Sequence, residues 1–385
     1  MPSLDIIIAG AGMGGLTAAL ALQQAGHRVR LFERAQDLAP IGAAISIWPN
    51  GVKVLEQLGL GSAIAAVSGD MQTMSYRDHE GRLLTRFSLL PLYEAVGRPA
   101  RPIARAHLQR LLLEAVGAEH VTLGVGCEGF EQDTAGVTVL LNDGRRERAD
   151  LLIAADGTHS RLRERVVGQA ITREYCGYVN WNGRVKIAPD LAEAQDWAQF
   201  VGAHQRVSLM PMGGDEFYFF FDVPLPKGTP NDRSRYRAEL AEHFAGWATP
   251  VQRLIERLDP QGVARVEIHD TRPLPTLVQG RVALLGDSAH AMAPDLGQGG
   301  CQAMEDAWVL ARCLDAEQDP LAALQTYQAA RLERVAGIVE RARKRCEITH
   351  GHEPLATQAW YAELARETGE TVIAGLRKTA EGGPL

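Results

Sequence analysis

An apolar run, Leu4 to Ala9, breaks into Gly10-Ala11-Gly12-Met13-Gly14-Gly15, continues as the Ala/Leu-rich segment Leu16 to Gln24, breaks again at Gly26, and resumes as Val29-Arg30-Leu31-Phe32-Glu33. The pattern passes from strand to helix and back, so the first forty residues read as a βαβ unit. Gly10, Gly12 and Gly15 fit Gly-x-Gly-x-x-Gly, and Glu33 closes the second strand eighteen residues after Gly15. The residue types suit a dinucleotide. Glycines, Gly14 included, let the backbone approach a pyrophosphate, the helix N-terminus offers N–H donors, and the carboxylate accepts ribose hydroxyls. A tight turn without a nucleotide is the weaker reading, because strand, helix and acid all stand where the motif needs them.

The chain has 385 residues, above the roughly 250–300 at which one hydrophobic core stops growing, so two packed units are expected. With 46% hydrophobic and 23% charged residues it is neither collagen-like, disordered nor a disulfide scaffold. A net charge of -7 gives no global reason to bind nucleic acid or an anionic membrane, which leaves a small-molecule partner. Five scattered cysteines without a Cys-x-x-Cys pair argue against a disulfide framework and a zinc site, and a reducing cytoplasm fits them. The uncharged stretch Ile6 to Gly26 is broken by glycines and preceded by Asp5, so it is not read as a membrane span or targeting segment. No metal site is expected: His350-Gly351-His352 lacks Cys or His partners. The sequence does not speak to oligomeric state.

Two further apolar runs, Asp150 to Ala155 and Arg281 to Leu285, stop at Asp156-Gly157 and Gly286-Asp287, where α/β folds place ligand loops. Between about Gly177 and Asp270 the segments Gln205 to Met210 and Glu216 to Val223 read as an antiparallel hairpin of a second domain. An odd loop between paired residues would put Arg206 and Tyr218 on one face of it, an even loop on opposite faces. Helical spacing dominates from about Gln298 onward.

The segments Asp156-Gly157-Thr158-His159-Ser160-Arg161-Leu162-Arg163 and Gly286-Asp287-Ser288-Ala289-His290 join the N-terminal motif. In order and spacing, the three resemble those of FAD-dependent class A aromatic monooxygenases of the para-hydroxybenzoate hydroxylase type. The resemblance covers essentially the whole chain. It implies an α/β fold, with a Rossmann-like FAD-binding domain, a second, mainly antiparallel β-sheet substrate domain, and C-terminal helices. The expected limits are 1–75, 101–176 and 271–385 for the first domain and 76–100 and 177–270 for the second.

The same resemblance assigns residues. Asp287 would hold the ribityl chain, and Gly297, Gln298, Gly299, Gly300 and Cys301 would open a helix beside the flavin ring. Its N-terminus would favour the negative charge of reduced flavin. Arg105 would reach the cofactor from a helix start, Ser46 would lie in a second flavin loop, and backbone at Cys127 would meet the adenine. Arg34 either flanks the adenosine or is solvated. Asp156 divides evenly between cofactor contact and turn residue. Cys301, at a helix start, reads as a small packed residue rather than a thiolate. His290 reads as structural, Asp270 and Arg272 as domain-linking, and Arg343-Lys344-Arg345 as a solvated helix face.

Within that family, segments 42–52, 177–183, 206–211 and 217–224 are similar to the members that hydroxylate urate. This implies that NADH reduces the flavin, O2 adds to it, and the hydroperoxide hydroxylates urate at C5 to give 5-hydroxyisourate. Asn180 and Arg206 would bind urate, Tyr218 would sit in the site, and backbone of Gly297 to Cys301, with Gln298, would meet substrate or flavin. Met13 and Ser288 are conservative departures. An electrophilic oxygen needs an electron-rich target, and a fixed cation favours the anionic form of a heterocycle. Read from the residues alone, Arg206 is equally an exposed strand arginine and Tyr218 equally core. A phenolic acid or hydroxynicotinate monooxygenase shares every cofactor motif. A flavin-free NAD dehydrogenase, or a non-enzymatic nucleotide binder, leaves the later motifs without purpose. No second Gly-x-Gly-x-x-Gly marks a nicotinamide site, so NADH rests on the likeness alone.

Overall fold

The computed structural model describes residues 3–38 and 43–385; Gly42, first residue of the 42–52 segment, lies outside them. The βαβ unit is the strand Asp5–Ala9, the helix Met13–Gln24 and the strand Arg28–Glu33. They enter a six-stranded sheet in the order Val278–Gln279, Val282–Leu284, Leu151–Ala154, Asp5–Ala9, Arg28–Glu33, Val121–Leu123, parallel except for its first pair. Ile6, Ile7, Ile8, Leu151, Leu152 and Ile153 are fully buried. A parallel sheet covered on both faces demands such unbroken apolar runs. The helix Met13–Gln24 packs on the helix Gly299–Ala316.

The second sheet has seven strands, in the order Ala264–Thr271, Arg173–Lys186, Glu216–Pro224, Gln205–Met212, Asp196–Gly202, Thr73–Asp78, Leu83–Ser88. Every pair is antiparallel except Asp196–Gly202 with Thr73–Asp78. The strands Thr73–Asp78 and Arg173–Lys186 each cross one of the expected domain limits, 75/76 and 176/177.

Alternation gives this sheet two unlike faces. Val179, Trp181, Val207, Leu209, Phe217, Phe219, Phe221 and Val223 point one way, into a core with Leu240, Phe244, Val251 and Leu254 of the covering helices Tyr236–His243 and Thr249–Arg257 and the turn between them. The other parity carries Asn180, Asn182, Arg206, Ser208, Tyr218 and Asp222. The hairpin closes at Met212 opposite Glu216, so Pro211 and Met212 extend the strand past the expected Met210 and the loop has three residues, Gly213 to Asp215. With that odd count Arg206 and Tyr218 share a face: Arg206 pairs with Asp222, Met210 with Tyr218.

A two-stranded ribbon, Ala44–Ile47 with Arg101–Ala104, lies near the junction of the two sheets, and the 31-residue helix Pro320–His350 packs against both the short turn Pro294–Leu296 and the second sheet. No described helix is long and apolar enough to cross a membrane, and no described group of His, Cys, Asp and Glu could hold a metal.

Candidate active site

The glycine loop is shaped by contacts that exclude side chains. Gly10 has φ +101°, and a Cβ there would lie 2.3 Å from Ala155 O; one on Gly15 would lie 2.0 Å from Gly10 O. Gly14 turns toward Ala303, 3.1 Å from where its Cβ would be. Gly12, by contrast, is exposed with nothing within 4 Å of that position, and no side chain caps the helix it precedes. An open glycine before uncapped N–H groups fits a pyrophosphate. Glu33 is fixed beside it, Oε2 accepting from Ala11 N (2.8 Å) and Oε1 from Ala35 N (2.9 Å). Arg34 is exposed. Cys127 is buried, and burial with Asp156 and Glu33 nearby pushes its thiol up to about 12, which leaves it chemically inert.

Asp287 opens the short helix Asp287–His290; its carboxylate is exposed and accepts no hydrogen bond among the described residues. The loop beneath it is held by Asp306, which accepts from Gly286 N (2.9 Å), His290 Nε2 (2.7 Å) and Arg331 Nε (2.7 Å). Burial alone would raise the Asp306 carboxyl, but His290 and Arg331 hold it down at about 2. Asp156 is placed differently. It accepts from Ser160 Oγ (2.6 Å) and Arg161 N (2.8 Å), the bonds of a turn residue.

The flavin-side loop is equally constrained. Gly297 has φ +62°, and a Cβ there would meet Trp48 Nε1 at 2.8 Å and Ser46 Oγ at 3.0 Å. Ser46 therefore stands against Gly297. Gln298 is buried, its Oε1 accepting from Asn50 Nδ2 (3.0 Å) and Gln302 Nε2 (3.1 Å). A Cβ on Gly299 would lie 3.9 Å from Asp287 Oδ1, and one on Gly300 2.4 Å from the Ile45 side chain. Cys301 is fully buried and accepts from Trp48 N (3.3 Å); burial pushes its thiol up to about 12, overriding the helix start. Arg105 begins the helix Arg105–Val116 and donates from Nε to Ala44 O (3.3 Å).

Across from this loop, Asn180, Asp222 and Arg206 form one row over three adjacent strands. Asn180 donates to Asp222 Oδ1 (2.7 Å) and accepts from Asn182 Nδ2 (2.8 Å). Arg206 is 7% exposed, so it is no surface arginine. Its Nε reaches Asp222 Oδ2 (2.9 Å), its Nη2 reaches both Asp222 (2.7 Å) and Asp295 Oδ1 (3.1 Å), and its plane lies over Phe220. Burial opposes that charge; Asp222 and Asp295 more than restore it. Nη1 is the guanidinium nitrogen with no hydrogen bond among the described residues. Tyr218 is half-buried on the same face, and burial pushes its hydroxyl up to about 12, against the pull of Arg105.

Sequence reasoning missed Asp222, Asp295, Tyr178 and His350. Asp222 was signalled by period: a carboxylate in phase with Arg206 on an otherwise aromatic strand. Asp295 and His350 had no such signal, because they meet the sheet only through the tertiary fold. The solvated face expected at Arg343-Lys344-Arg345 is corrected. Arg343 ion-pairs with Asp270 (2.5 Å) and Glu174 (2.7 Å), and Arg345 lies 4.3 Å from the Trp360 ring centre; Lys344 alone is exposed. The helix is covered there by the second sheet and by Trp360. Asp270 and Arg272 both join this region through Glu174 and Arg343.

A family described as FAD binding domain matches residues 3–342. The chain is 51% identical over 383 residues to the FAD-dependent urate hydroxylase of Klebsiella pneumoniae subsp. pneumoniae, covering 99% of this chain and 100% of that one. It is 48% identical to the FAD-dependent urate hydroxylase of Mycolicibacterium vanbaalenii over 99% of this chain and 98% of the relative. The crystal structure of Klebsiella pneumoniae HpxO complexed with FAD and uric acid superposes with a TM-score of 0.97 at 50% identity, over 99% of this chain and 97% of that one. With the glycine loop, the Asp287 turn and the flavin-side helix start assembled in one fold, this chain belongs to the FAD-binding flavoprotein monooxygenases and, within them, to the FAD-dependent urate hydroxylase family.

Proposed function

We propose that the chain hydroxylates urate at C5 to 5-hydroxyisourate, with FAD bound, NADH as reductant and O2 as oxidant: urate, NADH, H+ and O2 give product, NAD+ and water. The observation that carries the reading is the buried polar row Asn180–Asp222–Arg206, on a sheet whose other face is packed core. FAD, once reduced, supplies an electrophilic oxygen atom from O2.

The protein's own groups do the rest. Arg206 offers Nη1 to the urate anion while two carboxylates fix its fork, and Asn180 keeps its second amide N–H for the ring. A guanidinium that prefers the anion raises the electron-rich fraction of substrate. Tyr218, protonated at neutral pH, is a hydrogen-bond donor beside it. Gly10, Gly12, Gly14, Gly15 and Glu33 hold the adenosine diphosphate, with Arg34, Cys127 backbone and Asp156 at its edge. Asp287 takes the ribityl hydroxyls, and Ser46, Arg105 and backbone of Gly297 to Cys301 border the ring.

We assign residues 1–75, 101–176 and 271–385 to the cofactor unit and 76–100 and 177–270 to the substrate unit, and the cytoplasm as the compartment that five free, buried cysteines suit. The test is NADH oxidation by the FAD-loaded protein with urate, xanthine, salicylate or hydroxynicotinate, with product identified. Urate alone should both stimulate oxidation and be hydroxylated. Stimulation with hydroxylation of salicylate or hydroxynicotinate, and none with urate, would overturn the reading.

A further inference from the structure

Asp295 lies in the turn Pro294–Leu296, immediately before Gly297 of the flavin-side loop, and its side chain is fully buried. Three elements converge on its two oxygens. Oδ1 accepts from Arg206 Nη2 (3.1 Å) and faces His350 Nε2 (3.2 Å); Oδ2 accepts from the Tyr178 hydroxyl (2.9 Å). Arg206 and Tyr178 come from two strands of the second sheet, His350 from the last residue of the helix Pro320–His350. The His350 ring stacks on Tyr178, centroids 3.7 Å apart and planes at 21°.

We propose that Asp295 and His350 are a positioning pair for hydroxylation, fixing Arg206 to the turn that carries the flavin-side loop so that substrate cation and flavin loop move as one body. This rests on Arg206 meeting urate, as argued above. The geometry leaves little choice of role. Arg206 is already paired with Asp222 inside its own sheet, so a second buried carboxylate is not needed to neutralise it. What Asp295 adds is a link between sheet and loop. Two carboxylates on one guanidinium leave an excess of negative charge in a buried cluster, which is costly unless another basic group joins it. Arg345 is a basic group within electrostatic range of Asp295, and His350 adds its Nε2 contact to the oxygen that Arg206 meets. Burial would raise the Asp295 carboxyl, but His350, Arg206 and Tyr178 hold it well below the ordinary range.

The experiment compares Asp295→Asn, His350→Gln, Tyr178→Phe, Arg206→Lys and the double variant Asp295→Asn/Arg206→Lys in FAD-loaded protein. It reads FAD content, urate Kd and peroxide released per NADH oxidised. Asn removes the charge that holds Arg206 and puts an N–H donor where Oδ2 or Oδ1 accepts now, so Tyr178 or the Arg206–His350 side loses its acceptor. Asp295→Asn and His350→Gln should keep FAD, weaken urate about three- to tenfold, and raise the peroxide fraction at least threefold. The double variant should be no worse than Arg206→Lys alone, because the pair acts through Arg206. Should Asp295→Asn fail to fold, His350→Gln and Tyr178→Phe leave the carboxylate in place and carry the same readout. If Arg206→Lys uncouples while Asp295→Asn or His350→Gln stays at wild-type urate affinity and coupling, the positioning role is wrong and the urate reading stands. If the double variant's losses are additive, Asp295 acts independently of Arg206 and the proposal is overturned. If Arg206→Lys itself behaves as wild type, the reading of Arg206 fails first.

Discussion

The Arg163 guanidinium donates from Nη2 to the main-chain carbonyl of Asp287 at 2.7 Å. Its Nε reaches the next carbonyl, Ser288 O, at 2.6 Å, and Arg163 is only 3% exposed. One arginine from the Asp156–Arg163 segment thus latches the loop that presents the Asp287 carboxylate.

Arg163→Met keeps the stem and removes the donors, leaving two buried carbonyls short of a partner at about 1–3 kcal/mol each. Urea denaturation should show a loss of that order. FAD should bind more weakly even in the folded fraction, since Asp287 is no longer held. Wild-type stability together with wild-type FAD affinity would show that the latch does nothing.

Asp287→Ala should behave in the opposite way. The carboxylate is exposed with no hydrogen bond to lose among the described residues, so folding should survive. FAD affinity should drop by the roughly 1.5–3 kcal/mol of hydrogen bonds to a charged group. Asp156→Ala, which removes two bonds within its own turn, should lose stability first and cofactor second. Full flavin occupancy and turnover in Asp287→Ala would take that residue out of the site.

The strand, turn and helix around Gly10 to Gly15 were legible in the sequence because local period, glycine placement and Glu33 agree with one another. The shared face of Arg206 and Tyr218 was legible as a condition on loop parity, and the three-residue loop meets it. The neighbours of Arg206 were not. Asp295 is 89 residues away in sequence and His350 is 55 residues beyond Asp295. Pairing at such separation leaves no local periodic trace. The triplet Arg343-Lys344-Arg345 misled for the same reason: charge suggests solvent, and only the fold reveals Asp270, Glu174 and Trp360 waiting for it.

Acid should weaken the fold through Asp306. Its folded value of about 2 lies below the roughly 3.9 of an unfolded aspartate. A depressed value means the contribution is fully present above the unfolded one and is lost as pH falls from about 4 toward 2. The shift amounts to about 2–3 kcal/mol. Asp306→Asn should be less stable than wild type at pH 7, because His290 and Arg331 lose their carboxylate, and should show a shallower decline through that window. Equal slopes in urea titrations at pH 5, 4, 3 and 2.5 would remove Asp306 from the acid response.

The most direct test of the chemistry is Arg206→Lys. Removing the charge outright would leave Asp222 and Asp295 buried together without the guanidinium they share, a loss of about 3–5 kcal/mol that would confuse stability with function. Lysine keeps the charge and gives up the fork. A single ammonium can stay near one carboxylate but cannot hold both and still present a fixed donor to a flat anion. FAD content should therefore be unchanged and the fold largely intact. Urate binding or turnover should fall about tenfold or more, the loss expected for roughly 1.5–3 kcal/mol of charged hydrogen bonding. NADH still consumed should yield peroxide in growing proportion, because oxygen activated beside a poorly oriented urate has no competent acceptor. Matching product and peroxide against NADH consumed reads the partition directly. A variant that keeps urate affinity and full coupling would leave Arg206 a structural tie between Asp222 and Asp295, and the activation of urate would have to come from another group on that face of the sheet.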